Sequence, residues 1–116
     1  MKKLVRSIAA ALWLGAVLVM PVTADTVKLK EDARELGISV GQAYVCTPDD
    51  KKAMARGDSE AIYDTILFGI DHEHAYIYAV AVGYGAATKK SDIDCKKIAA
   101  RVAGVRSKMG LGGTER

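Results

Sequence analysis

The sequence predicts an all-α fold, a small four-helix domain closed by one disulfide. Apolar residues recur at three- and four-residue spacing, helix-capping residues fall between those runs, and two cysteines are separated by 48 residues behind a secretion signal. The alternative is an α+β fold with a strand at 75–85, because the residues of that stretch alternate as a strand would.

The N-terminal segment has the pattern of a bacterial secretory signal peptide. A basic start precedes 13 uncharged, mostly apolar residues from Ile8 to Met20, and small residues stand before Asp25. We expect cleavage after Ala24, which makes 1–24 a signal peptide, 25–110 the folded domain and 111–116 a flexible tail. A spanning helix needs about 20 apolar residues. We therefore expect a periplasmic protein with no membrane span after cleavage.

The charge balance argues against a nucleic-acid partner. The whole chain carries a formal charge of +3, and three of its basic residues, Lys2, Lys3 and Arg6, lie in the predicted signal. The remaining 14 basic side chains are balanced by 14 acidic ones. Nucleic-acid-binding proteins carry a basic surplus on one face, so we expect no nucleic acid to bind.

The two cysteines, Cys46 and Cys95, predict a structural disulfide. Their spacing fits neither a CxxC redox motif nor a zinc knuckle, and an exported location allows thiols to oxidise. A bridge that closes a loop of this length stabilises a fold by about 4 kcal/mol in the chain-entropy model.

The first two helices are predicted from spacing and end signals. A helix over about 28–46 places Ala33, Leu36, Val40 and Ala43 on one stripe, although Gly37 and Gly41 weaken it. Thr47 then stands as the N-cap of a second, short helix, which we expect to stop near Gly57.

The next helix is predicted to start at Asp58 or Ser59, and its continuation over 75–87 is ambiguous. As a helix, that continuation has a smooth stripe of small residues, Ala75, Ala79, Gly83 and Ala87. A second stripe beside it holds Tyr76, Val80 and Tyr84. We favour the helix because the sequence offers no convincing partner strand.

The last helix is predicted to open at Ser91 and to end at Gly110. In this arrangement the disulfide joins the end of the first helix to the start of the last.

Two groups of residues are candidates for binding. His72 and His74 hold both imidazoles beside Asp71 and Glu73, which would suit zinc, copper or nickel. On a helix, however, residues two apart point about 200° away from each other and do not share a face. A solvated polar turn is therefore the competing interpretation.

The second group is Tyr76, Tyr78 and Tyr84, which would form a partner-binding surface if exposed. Tyrosines of this kind are more often part of a core. No serine or cysteine stands in a pattern that indicates a nucleophile, and Gly83 to Ala87 lacks the third glycine of a dinucleotide loop. We expect no enzymatic activity and no cofactor.

In its overall build the chain resembles the small periplasmic helical proteins of the HdeA type, which are acid-stress chaperones. The shared features are a signal peptide, roughly ninety mature residues, a helical texture and two widely spaced cysteines, here in Tyr44-Val45-Cys46-Thr47 and Ile93-Asp94-Cys95-Lys96. At this level it is also similar to periplasmic immunity proteins, which block a toxin from a rival cell.

These observations lead to three functional hypotheses. The first is a non-enzymatic periplasmic binding protein, such as an immunity or inhibitor protein, whose partner is another periplasmic or envelope protein. The second is an acid-stress chaperone, because protonation of the carboxylates would give the domain a large positive charge and loosen it. The third is metal binding through Asp71 to His74.

Overall fold

The computed structural model describes residues 24–111. They form four α-helices, α1 (Ala24–Cys46), α2 (Lys52–Gly69), α3 (His72–Ala86) and α4 (Cys95–Lys108), with short 3-10 turns at Asp49–Lys51 and Lys90–Asp92. No strand occurs within this range. The all-α prediction is confirmed, and the strand alternative at 75–85 is wrong. The predicted signal peptide and tail lie almost wholly outside the described residues.

Helix α3 begins at an N-cap residue, and the stretch whose sequence fits either a helix or a strand is helical. The side chain of Asp71 accepts a hydrogen bond from the backbone N–H of His74 at 2.9 Å, which satisfies one of the free donors of the first turn. Because the stretch is helical, its tyrosines do not alternate between two faces as they would in a strand. Tyr78 is buried, while Tyr76 and Tyr84 lie on the outer side.

The predicted break at Gly57 is wrong, since α2 continues through it. Thr47 is not the N-cap of a helix; its hydroxyl donates to the carbonyl of Ala43 at 2.7 Å and closes the end of α1. A glycine inside a helix costs about 1 kcal/mol. Burying Ile62 and Ile66 of the same helix contributes about 1.5–3 kcal/mol each, so packing outweighs the local preference.

The start of α4 also differs from the prediction. Ser91 lies in the 3-10 turn, and the cap is Asp94, whose side chain accepts a hydrogen bond from the backbone N–H of Lys96 at 3.2 Å. The predicted stop is confirmed at Gly110, which has a φ of 77°, a conformation that glycine adopts without steric cost.

Helix α1 is central and contacts the three other helices, with its most extensive interface against α3. The two helices run parallel, so that Gly37 lies beside Ala81 and Gly41 beside Gly85. The core cluster draws on all four helices and the residue that follows α4, and consists of Ala33, Leu36, Val40, Ile62, Ile66, Ala75, Tyr78, Val105 and Met109.

Small residues hold the backbones of α1 and α3 close together. A Cβ built on Gly37 would lie 2.6 Å from the Cβ of Ala81, and one on Gly85 would lie 2.8 Å from the carbonyl carbon of Ile38. These distances are too short for any side chain, so the glycines that weaken α1 by propensity are required by its packing.

The predicted stripe of small residues on α3 is only partly correct. Ala75 is buried, but Ala79, Gly83 and Ala87 are exposed. Ala81 and Gly85 make the close approach in their place.

The predicted disulfide is confirmed. Cys46, the last residue of α1, is bonded to Cys95, the first residue of α4, with their Cα atoms 5.7 Å apart. Neither sulfur is a free thiol.

Candidate protein-binding face

An exposed aromatic stripe runs along the outer side of α3. Tyr76 is 69% exposed, Val80 42% and Tyr84 66%. Residues four apart lie above one another on a helix, so these three side chains form one continuous ridge. We call this ridge, together with Arg34 of α1 beside it, the α3 face.

The α3 face is exposed because α3 has neighbours on one side only. It packs on α1 and α2, and within residues 24–111 its backbone does not come close to that of α4. No charged residue occurs from Ala75 to Thr88. A helix that is apolar on all sides is typically buried, but within residues 24–111 the side of α3 that faces away from α1 and α2 is uncovered.

The face includes a shallow, open groove between α1 and α3 of about 290 Å³, lined by Arg34, Tyr76, Ile77, Val80, Ala81 and Tyr84. Among the described residues that line the groove, Arg34 is the only charged one. Within the described part of the chain, no carboxylate lies within ion-pair distance of the Arg34 guanidinium. Its neighbour Lys30, in contrast, is paired with Glu73 at 3.0 Å. The groove can therefore receive an apolar side chain that lies beside a carboxylate.

Tyr78 does not belong to this face. It is 1% exposed, and its hydroxyl donates to the backbone carbonyl of Ser59 at 3.1 Å and lies 3.0 Å from the hydroxyl of the same residue. Burial raises the pKa of Tyr78 to about 12, because the phenolate would lose its hydration. Its role is to hold α2 against α3, and the predicted trio of tyrosines is divided between core and surface.

The two histidines are also separated. His72 is exposed, whereas His74 is buried with its Nδ1 2.6 Å from Oδ1 of Asp71. The backbone N–H of His74 donates to the Asp71 carboxylate and lowers its pKa, and the His74 side chain adds to this effect. The Nε2 of His74 is buried and has no hydrogen-bond partner among the described residues.

Metal binding by the two histidines stays a prediction. Among the described residues, no three His, Cys, Asp or Glu side chains are grouped so that they could hold a metal ion. His74 is committed to Asp71 and to the interior, so the arrangement gives metal binding no further support.

Sequence reasoning identified the tyrosines and Val80 but missed Arg34. Nothing in the local pattern of α1 distinguishes this arginine from its charged neighbours. Its position depends on the parallel pairing of α1 with α3, which places it beside Tyr76 and Tyr84.

Comparison with protein-family models, with curated proteins and with solved structures found no match for this chain. Within residues 24–111, no helix is both long enough and apolar enough to cross a membrane.

Proposed function

We propose that this chain is a non-enzymatic binding protein of the bacterial periplasm, and that it holds another periplasmic or envelope protein through the α3 face. The observation that carries the proposal is the exposure of Tyr76, Val80 and Tyr84 along one uncharged side of a helix. Exposed apolar residues that are contiguous, rather than scattered, mark interaction sites.

The composition of the face supports a protein partner. Tyrosine and arginine are enriched among the residues that contribute most to protein–protein binding energy. Tyr76 and Tyr84 offer large rings with few rotatable bonds, and Arg34 offers a bidentate donor for a carboxylate. We expect the partner to present an apolar side chain next to an acidic residue.

The scaffold behind the face is closely packed, which favours affinity. Close contact between Gly41 and Gly85 fixes α3 against α1, and the Tyr78–Ser59 hydrogen bonds fix it against α2. Binding to a preorganised surface loses less conformational entropy than binding to a mobile one.

An oxidising location fits the disulfide. Bonds of this kind persist in the periplasm and are rare in the reducing cytosol. Together with the signal-like N-terminal pattern, this supports export as the setting in which the α3 face meets its partner.

The α3 face favours this proposal over the acid-stress alternative. A chaperone activated by acid would need a fall in pH to expose its apolar surface. Here the aromatic ridge is already exposed in the folded domain.

Native mass spectrometry of protein extracted gently from its own periplasm tests the proposal. We expect a stoichiometric complex with another protein, and we expect a Tyr76→Ser/Tyr84→Ser variant to lose it. The control is Met54→Ser/Phe68→Ser, which removes two exposed apolar side chains of α2 and should leave the complex intact. Loss of the complex in both variants, or in neither, would argue against the α3 face as the binding site.

A further inference from the structure

We infer that, in the isolated protein, a second copy of the chain covers the α3 face through an antiparallel α3–α3 contact about a two-fold axis at Val80. This inference rests on the proposed function because the second copy would occupy the same α3 face. The copy and the heterologous partner would then compete for it.

The exposed ridge is symmetric about its middle residue. Tyr76 lies four residues before Val80 and Tyr84 lies four residues after it. If two α3 helices pack antiparallel with Val80 on the axis, Val80 meets its own copy and Tyr76 meets Tyr84 of the other chain. A two-fold interface requires one patch that is complementary to itself, and this ridge satisfies that requirement.

The charges at the two ends of α3 favour the antiparallel orientation. Asp71 and Glu73 stand at the start of the helix, while Lys89 and Lys90 follow its end, and all four are exposed. Glu73 lies seven residues before Val80, on the same side of α3 as the ridge, and pairs with Lys30 of its own chain. Lys89 lies three residues beyond Ala86, the last residue of α3. Antiparallel packing at a shallow angle of about 20° therefore brings the acidic end of each copy near the basic end of the other. Parallel packing would oppose like charges.

The surface around the ridge permits close approach. Ala79 and Gly83 are exposed beside it, and a Cβ at Gly83 would meet no atom within 4 Å. Small residues at such a position allow two helices to pack about 8–10 Å apart. On α3, no charged residue between Ala75 and Thr88 has to lose its hydration when the copies meet. The contact does cover the charged side chain of Arg34 on α1.

The area of the α3 face indicates how strongly two copies of the chain should associate. At roughly 200 Å² for each ring, Tyr76 and Tyr84 together expose about 270 Å². Adding Val80 and Arg34 leaves the contact smaller than the approximately 800 Å² per partner of a stable complex. We therefore expect a reversible dimer with a dissociation constant in the micromolar range.

Sedimentation equilibrium of the mature, disulfide-bonded protein tests this directly. From low-micromolar to sub-millimolar concentration, we expect the weight-average mass to rise from that of one chain towards that of two. Val80→Glu should weaken association at least tenfold, because it places two like charges at the axis. Lys89→Glu/Lys90→Glu should weaken it about threefold to tenfold. Phe68→Glu, which alters an exposed apolar residue of α2, should change nothing.

Cysteine cross-linking tests the orientation. Under mild oxidation, Val80→Cys should cross-link to itself, and a mixture of Tyr76→Cys with Tyr84→Cys should cross-link faster than either variant alone. Equal self-cross-linking of all three variants would indicate parallel packing and would overturn the two-fold arrangement.

The two proposals fail in different ways. A single-chain mass at every concentration would overturn the inference, and so would a dimer that Val80→Glu leaves intact. The proposed function would survive a single-chain mass if the Tyr76→Ser/Tyr84→Ser variant still lost its periplasmic partner. Conversely, a dimer sensitive to Val80→Glu, with no heterologous partner in periplasmic extracts, would support the inference and overturn the proposed function.

Discussion

Gly41 of α1 lies directly against Gly85 of α3: a Cβ built on Gly41 would fall 2.9 Å from the carbonyl carbon of Gly85. Gly85 in turn has no room for a Cβ, because the backbone of α1 at Ile38 and Gln42 occupies that space. The two backbones touch without intervening side chains. This contact fixes the position of α3 and therefore of the face that we propose binds a partner.

Gly41→Ala should destabilise the domain. The added methyl group overlaps the backbone of α3, and overpacking of this kind costs about 1–3 kcal/mol, a loss that the better helix propensity of alanine only partly offsets. Gly57→Ala is the matched control, since its Cβ would meet nothing within 4 Å. We expect that variant to gain about 0.5–1 kcal/mol. Urea unfolding followed by circular dichroism measures both, and a Gly41→Ala variant as stable as the wild type would contradict the close contact.

Removing the disulfide should cost about 4 kcal/mol of unfolding free energy, because the reduced chain regains the entropy of a long open loop. The change is Cys46→Ser/Cys95→Ser, and the same denaturant titration measures it. Reduction of the wild-type protein should produce the same loss. A loss below about 1 kcal/mol in both cases would show that the bridge between α1 and α4 contributes little.

Tyr78→Phe should lower stability by about 1 kcal/mol at neutral pH through loss of the Ser59 hydrogen bonds. Burial raises the pKa of Tyr78 from about 10 to about 12. The neutral phenol therefore contributes stability that is fully present below pH 10 and is lost as the pH rises towards 12. The wild type should lose stability across this interval more steeply than Tyr78→Phe does.

Tyr76→Phe is the control for that experiment, because this ring is exposed. Unfolding titrations between pH 9 and pH 12 compare the three proteins. If Tyr78→Phe and Tyr76→Phe have the same alkaline profile, Tyr78 is not buried as described.

Asp71→Ala should destabilise α3 by about 1 kcal/mol at neutral pH, since it removes the helix cap. The His74 backbone N–H holds the pKa of Asp71 below 3.8 in the folded state. The contribution of its charged form is thus present above pH 3.8 and is lost as the pH falls through the lowered pKa.

Asp71→Asn separates the cap from the charge. Asparagine caps helices nearly as well as aspartate but does not titrate, so this variant should keep most of the stability while losing the acid dependence. Thermal unfolding between pH 2 and pH 7 measures the difference. An unchanged acid profile in Asp71→Asn would contradict the assignment.

Helical periodicity and the absence of a partner strand were enough to predict that 75–87 is helical. The end of α2 was harder, because the sequence around Gly57 satisfies local rules for a helix stop. Only the tertiary burial of Ile62 and Ile66 shows why the helix continues. Local capping preferences are small beside that burial, so predictions of helix ends were the least successful.

The candidate site was predictable to the extent that it lies on one helix. Tyr76, Val80 and Tyr84 share a stripe by spacing alone, and the structure adds which side of α3 is exposed. Tyr78 shows what the sequence could not predict. A tyrosine fits a surface or a core equally well, and the contact of this one with Ser59 places it in the core. Arg34 joins the face only through the glycine contact between α1 and α3, which no local pattern encodes.

Site-specific photo-cross-linking in living cells shows whether the α3 face binds a protein. A photoreactive phenylalanine analogue replaces Tyr84 on the face in one strain and Met54 of α2 in another, since both side chains are exposed to the same degree. We expect a discrete adduct with another protein from position 84 that is absent from position 54. An adduct of two copies of the chain would report the dimer separately. No adduct with another protein from position 84, or the same adducts from both positions, would contradict the claim.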